Sequence, residues 1–197
     1  MRIIGIDPSL SSTGVCVLEH GKSPLLRSIK TKRSQSVFER QREIVGALRY
    51  VLSKGDVVVM EDFGVSAQYQ PSGRLFERIE LCGMIKLVAP SITGFPWFLA
   101  TPSMLKSFVA GKASARKEDV VKAVKDVWKI PVGNDDEADA FGLSRYAVAA
   151  FTEETKYKTK TAKFLSYSSN VANFKRLSFL VGNDLKNINP CYSSPSK

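Results

Sequence analysis

Histidine occurs once in the 197 residues, at His20 in what reads as a hairpin turn, which favours chemistry that needs no histidine. Cysteine occurs three times, at Cys16, Cys82 and Cys191, far apart and with no CxxC pair. That spacing excludes a disulfide framework and a cysteine zinc site, and leaves reduced cysteines, two of them expected in the core. No run of about 18 uncharged apolar residues exists, and no basic start leads into an apolar secretory stretch, so neither a membrane span nor a signal peptide is expected. A cytoplasmic location follows as the expectation. A complete G-x-x-x-x-G-K-[ST] phosphate loop is also missing: the nearest stretch, "GKAS" at 111–114, has no apolar strand immediately before it.

What the chain does have is enough apolar material for a core, 44% of its residues, and a net charge of +10. The charge is uneven. From Thr155 onward seven lysines and Arg176 face one acid, Asp184, a net of +7 that leaves +3 for the first 154 residues. The division expected is a folded domain over 1–152 and a basic, flexible tail over 153–197, with one short apolar element near 174–181.

Along the folded part, "RIIGID" (2–7) is a continuous apolar run that fits a strand buried on both faces. "GVCVLE" (14–19) and residues 25–31 supply two further strands, with "EHGKSP" as the hairpin between them. Residues 35–52 carry Val37, Ile44, Val45, Leu48 and Leu52 at helical spacing, and "VVVME" (57–61) is a short β-branched strand. A helix over 73–88, a strand over 96–100, a turn capped by Thr101 with Pro102 first inside it, and helices over 118–127 and 135–151 complete the reading. Three strands, a helix, a strand, a helix, a strand and then helices define an α/β fold: a mixed five-stranded sheet flanked by helices.

Four acids stand out. Asp7 and Glu61 each end a buried strand, while Asp136 and Asp139, beside Asp135, lie three apart at the start of a helix and share a face. Each has an ordinary explanation alone, as a turn residue, a strand terminus or a favourable charge at a helix N-terminus. Together they say more. If the first and fourth strands are neighbours, both strand carboxylates reach one edge of the sheet, and the last helix can lay its pair against them. "DDEADAFGLSRYAVAA" carries apolar residues on both sides of Asp139, as an inward-turning face requires. Carboxylates so close repel one another, so the set calls for a hard cation with oxygen ligands, Mg²⁺ or Mn²⁺. Two such ions would suit hydrolysis of a phosphodiester.

These stretches resemble the RuvC-like Holliday junction resolvases of the RNase H-like, or retroviral-integrase, superfamily. The resemblance covers roughly residues 2–150 and rests on "GIDPSLSSTG", on Glu61 in "VVVMED", on "TPSMLKSFVAGKASARKEDV" and on "DDEADA". It implies Asp7, Glu61, Asp136 and Asp139 as metal ligands and catalytic residues. It also places Lys106 and Lys117 where such enzymes have lysines near the scissile phosphate, with Lys117 in a catalytic part. It implies a homodimer that nicks two strands of a four-way DNA junction symmetrically, leaving 5′-phosphate and 3′-hydroxyl ends. Ser9 where the family has glycine, the wording after Glu61 and the basic tail mark a divergent or viral member, in the second case one acting in the host cytoplasm.

Basic residues interspersed with small ones in "GKASARK" let Lys112, Arg116 and Lys117 approach phosphates closely. Phe63 and Tyr69, in a Gly, Ser, Gln and Pro-rich loop, are candidates to stack on a base at an opened junction. Arg74 and Arg78 read as ordinary helix-surface residues. Phe76, Leu81 and Met84 belong either to a dimer seam or to the core. Two other functions compete with the junction resolvase: a related nuclease acting on flaps, other branched DNA or RNA–DNA hybrids, and a junction-binding protein without catalysis. A sugar-kinase or actin-like ATPase also opens on a strand, an aspartate and a small-residue turn, but needs a duplicated domain that 197 residues do not provide.

Overall fold

The computed structural model describes residues 1–62 and 73–181. Strand β1 (Arg2–Asp7) lies at the centre of the sheet, and its residues from Ile3 to Asp7 are buried. Antiparallel β2 (Ser12–Glu19) pairs with one side of it and parallel β4 (Val57–Glu61) with the other. Outside these run β3 (Leu25–Lys30) and β5 (Trp97–Ala100), giving the order β3-β2-β1-β4-β5. This is the mixed five-stranded α/β architecture expected from the sequence, and it is an RNase H-like fold.

Strand periodicity sorts the apolar residues into two cores. Ile3, Val57 and Val59 face helices α3 (Pro102–Ala110), α4 (Lys117–Asp126) and α5 (Asp135–Phe151). Ile4, Ile6, Val58 and Met60 face α1 (Val37–Val51) and α2 (Gly73–Thr93). Because successive side chains alternate, Asp7 and Glu61 fall on the face shared with Ile3, Val57 and Val59, toward α5. Cys16 and Cys82 are buried free thiols, one in each core.

Local chemistry sets the helix starts. Ser36 and Glu39 form a reciprocal capping box on α1, the Ser36 N–H donating to Glu39 Oε2 at 2.8 Å. Thr101 Oγ1 accepts from the Met104 N–H at 3.3 Å, and Pro102 opens α3, so the expected turn is a full helix. Asn134 Oδ1 accepts from the Glu137 N–H at 2.9 Å while its amide donates to Ser28 of β3, which pins the start of α5 over the sheet.

The region read as a flexible tail departs from expectation. A 3₁₀ turn (Thr155–Tyr157), α6 (Lys158–Leu165) and α7 (Ser168–Val181) are helical and pack against the α5 side of the sheet, with Phe164 and Leu177 fully buried. The lysines that made the segment look soluble project from helices whose other face is apolar. Asn170 provides the join: its Oδ1 accepts from the Leu99 N–H at 2.8 Å and its Nδ2 donates to the Leu99 carbonyl at 2.7 Å and the Phe164 carbonyl at 2.9 Å. The side-chain amide thus pairs with edge strand β5 as another strand would.

Asn170→Ala leaves those three buried backbone groups without their partner and is expected to cost about 2–4 kcal/mol. Urea denaturation of the full chain measures it. A loss below about 0.5 kcal/mol, the size of an ordinary surface change, would mean that α7 does not secure the edge.

Candidate active site

The acids meet at the C-terminal ends of β1 and β4 because these strands run parallel. Their register pairs Ile6 with Met60, so the next residue on each strand, Asp7 and Glu61, ends side by side. Asp7 is paired across to Gly14 on β2, and this glycine determines what lies above it. A Cβ on Gly14 would sit 2.0 Å from the Asp136 carbonyl oxygen, and one on Gly5 2.0 Å from the Ala140 carbonyl oxygen. Both positions are therefore bare so that the first two turns of α5 can rest on the sheet backbone. That contact brings the helix's acids to the strand ends.

Electrostatics reports which acids share the space. Burial pushes the Asp7 carboxyl well above the usual carboxylate range, and Glu61, Asp139 and Asp136 push in the same direction. Burial and then Glu61 raise Asp139 to about 7, against the opposing pull of Lys117 and Lys106. Asp136 sits at the fringe, half-buried. Asp135 points elsewhere: it forms an ion pair with Lys117 at 2.5 Å, which holds its carboxyl below the ordinary range.

The cation in contact with the strand pair is an arginine. Arg78 of α2 reaches Glu61 Oε1 at 2.6 Å and Asp7 Oδ1 at 3.3 Å. Burial works against its charge, but Glu61 and Asp7 outweigh that and raise its pKa. This corrects the reading of Arg78 as an ordinary surface residue. Its position in sequence held the signal: 78, 81, 82, 85 and 89 follow helical spacing, and the last four are the buried Leu81, Cys82, Ile85 and Ala89. An arginine on an apolar stripe has to find an acid.

With Arg78 in place, no group of three His, Cys, Asp or Glu among the described residues is gathered tightly enough to hold a metal ion. The expected four-carboxylate cage is thus not drawn together in this conformation. Its chemistry still fits a hard divalent cation. The donors are all oxygen, and buried acids that raise one another's pKa are stabilised by a positive charge among them. Asp7, Glu61 and Asp139, with Asp136 at the margin, are the residues that would hold it.

The expected DNA-facing bases divide into two groups. Lys106, half-buried on α3, and Lys117 stand close enough to act on Asp139. Lys112 and Arg116 are exposed and act on Asp119 instead, whose Oδ2 accepts from the Arg116 N–H at 3.0 Å. Phe63 and Tyr69 lie outside the described residues. The C-terminal helices add one contact that the sequence did not suggest: Tyr167 donates to Asp62 Oδ2 at 2.5 Å, directly after Glu61.

A parallel strand pair ending in two acids, with a third laid on them from a helix, is the site of an RNase H-like nuclease fold. Solved structures with this fold include Thermus thermophilus RuvC, 23% identical with a TM-score of 0.55, covering 76% of this chain and 95% of that one. The same organism's RuvC in complex with Holliday junction substrate gives a TM-score of 0.57 at 21% identity, covering 86% and 97%. Among sequences, the crossover junction endodeoxyribonuclease RuvC of Trichlorobacter lovleyi is 29% identical over 151 residues, 73% of this chain and 83% of its own length. That of Rhodopirellula baltica is 32% identical over 149 residues, 72% and 83% of the two chains. The family profile of crossover junction endodeoxyribonuclease RuvC matches residues 3–146, and the chain belongs to that family.

Two substitutions test this geometry. Gly14→Ala is expected to lift α5 from the sheet and cost about 1–3 kcal/mol or more, whereas Gly46→Ala, where a Cβ meets nothing within 4 Å, is neutral or stabilising. Urea denaturation of both compares them. Asp139→Asn tests the electrostatics. A carboxyl raised to about 7 favours folding below its unfolded value, and that benefit is lost as pH rises through 7. Without divalent ions, the melting temperature of Asp139→Asn relative to wild type should therefore climb between pH 4 and pH 8. A flat difference would show that Asp139 is not held among other acids.

Proposed function

We propose that the chain is a divalent-metal-dependent endonuclease that resolves four-way DNA junctions as a homodimer, with Mg²⁺ or Mn²⁺ as cofactor and two ions per site. The observation that carries this reading is the group formed by the buried acids Asp7 and Glu61 and the half-buried Asp139 beside Lys106 and Lys117. A protein that only bound DNA would gain nothing from acids facing phosphate, whereas a hydrolase uses them to hold cations. Bound there, the ions would supply Lewis-acid activation of the attacking water and compensate charge on the leaving oxygen.

In this reading Lys106 and Lys117 position the phosphodiester over the acids and offset repulsion between phosphate and carboxylate. Water attacks phosphorus in line. The bond to the 3′-oxygen breaks, and the products are a 5′-phosphate and a 3′-hydroxyl. Lys112 and Arg116, exposed before α4, extend the backbone contact outward.

The dimer reading draws on α2. Phe76 is 56% exposed and Leu87 is 78% exposed, and the two lie on one side of the helix with Gly83, where a Cβ would meet nothing within 4 Å. Leu81 belongs to the core and Met84 packs against it, so of the seam candidates Phe76 is the outward-facing one.

A labelled four-way junction, with matched linear duplex, flap and RNA–DNA hybrid, is the test. Wild type in Mg²⁺ or Mn²⁺ should give paired, ligatable nicks in the junction. Asp7→Asn should reduce them about a hundredfold or more while binding persists. Cleavage confined to flap or hybrid would reassign the substrate, and no cleavage in either metal would overturn the enzyme reading.

A further inference from the structure

Arg78 faces two surroundings. Its guanidinium is on Asp7 and Glu61, at 3.3 and 2.6 Å, and its side chain also forms part of the wall of a cavity of about 540 Å³ beside the acids. That cavity is strongly basic. Arg33, Arg40 and Arg74 line it with Arg78, the Ser9 to Ser11 turn directly after Asp7 closes one side, and Glu77 is the acid among them. Arg40 is held by Thr31 and Ser11. Arg33 and Arg74 are exposed and make no ion pair among the described residues. Nothing in the folding of the sheet requires four arginines to surround one hollow.

Lys106 and Lys117 come from α3 and α4, which pack on the other face of the sheet from α2, and both act on Asp139. A nucleic acid strand laid over Asp7 and Glu61 from the lysine flank would therefore bring its next backbone phosphates to the arginine-lined hollow. An arginine fork suits a phosphate better than any other side chain does, and the Nε of Arg78 is buried with no hydrogen-bond partner. Arg78 and a divalent cation, meanwhile, need the same carboxylate oxygens.

We propose that Arg78 is a displaceable counter-ion: it occupies the cation seat between Asp7 and Glu61 until a backbone phosphate in the arginine-lined cavity takes its guanidinium, so that divalent ions load efficiently only with DNA in place. The inference rests on the metal-dependent reading of the site. It gives that site a safeguard, because a nuclease without substrate holds its own arginine in place of the metal. By linkage, whatever factor DNA adds to metal affinity, metal adds to DNA affinity.

The test is Mn²⁺ binding, read from the paramagnetic resonance of the free ion, for wild type, Arg78→Met, Arg78→Lys and Asp7→Asn. Each is measured with the metal alone and with a short oligothymidylate, subtracting the Mn²⁺ bound by the oligonucleotide itself. Without DNA, Arg78→Met should bind Mn²⁺ about tenfold tighter than wild type, within the range usual for coupled sites. The oligonucleotide should then tighten wild type more than it tightens Arg78→Met. Circular dichroism establishes folding. If removing the charge unfolds the protein, Arg78→Lys takes its place, since a lysine keeps a point charge but is shorter than the guanidinium whose Nη2 touches both acids and should bind Mn²⁺ more tightly than wild type. Equal affinities of wild type and the folded variant overturn the displacement, as does an oligonucleotide effect of the same size in both. Absence of Mn²⁺ binding in every protein and both arms, or binding unaffected by Asp7→Asn, overturns the metal-dependent reading as well and is distinguishable from the first two results.

Discussion

Backbone contact between α5 and the sheet is the constraint on which the site depends. Helices usually rest on sheets through side chains, at a distance that would leave short aspartates well clear of the strand ends. Here Gly5 and Gly14 remove the intervening Cβ atoms, and the carbonyls of Ala140 and Asp136 occupy the room they vacate. Gly142 does the same on the helix's outer side, where a Cβ would fall 2.6 Å from Val109 and 2.7 Å from Leu105. α5 is thus clasped between sheet and α3, and the position of Asp139 follows from a rigid packing arrangement rather than from a loop. Such precision suits acids that have to act together.

The same closeness creates an electrostatic problem that the chain has to solve at rest. Burial and mutual repulsion both oppose ionisation of Asp7, and an unpaired buried charge is among the costlier defects a fold can carry. Arg78 relieves it from the opposite core. Since α2 packs through Leu81, Cys82 and Ile85 on the face of the sheet away from α5, the arginine reaches over the strand ends and ties the two cores together at the site. Lys117 and Lys106 moderate Asp139 from the other side. The acids are framed by positive charge from three helices.

Much of this was legible in the residues. Continuous apolar runs at 2–7 and 57–61 placed Asp7 and Glu61 at the ends of buried strands, and the spacing of Asp136 and Asp139 put both on one helix face. Thr101 and Pro102 announced a capped turn, which the structure extends into α3. The failures share a cause. Arg78 and Asn170 are polar residues placed on otherwise apolar helical stripes, and side-chain type alone suggested solvent. Their partners are remote in sequence, 71 positions away for both Arg78 to Asp7 and Asn170 to Leu99, so local pattern could not supply them. The abundance of Lys and Ser after residue 155 likewise hid the apolar faces of α6 and α7, because composition averages over a helix whose two sides differ. Asp136 and Asp139 looked equivalent by spacing. Both are half-buried, and only the packing of α5 shows that it is Asp139 whose carboxyl burial and Glu61 raise.

The amide of Asn170 on Leu99 also has a geometric consequence for assembly. A sheet with a bare outer strand can grow by accepting a strand from a second molecule, and many proteins associate in that way. With Asn170 spending both of its hydrogen-bonding ends on Leu99, and Asn173 donating to the Trp97 carbonyl at 2.5 Å, β5 is terminated by its own chain. A second copy cannot continue the sheet from that side. A pairing of two copies through α2 would instead place Phe76 and Leu87 at the junction while leaving each set of acids open at the strand ends. The C-terminal helices thereby act as a stop at the β5 margin of the sheet.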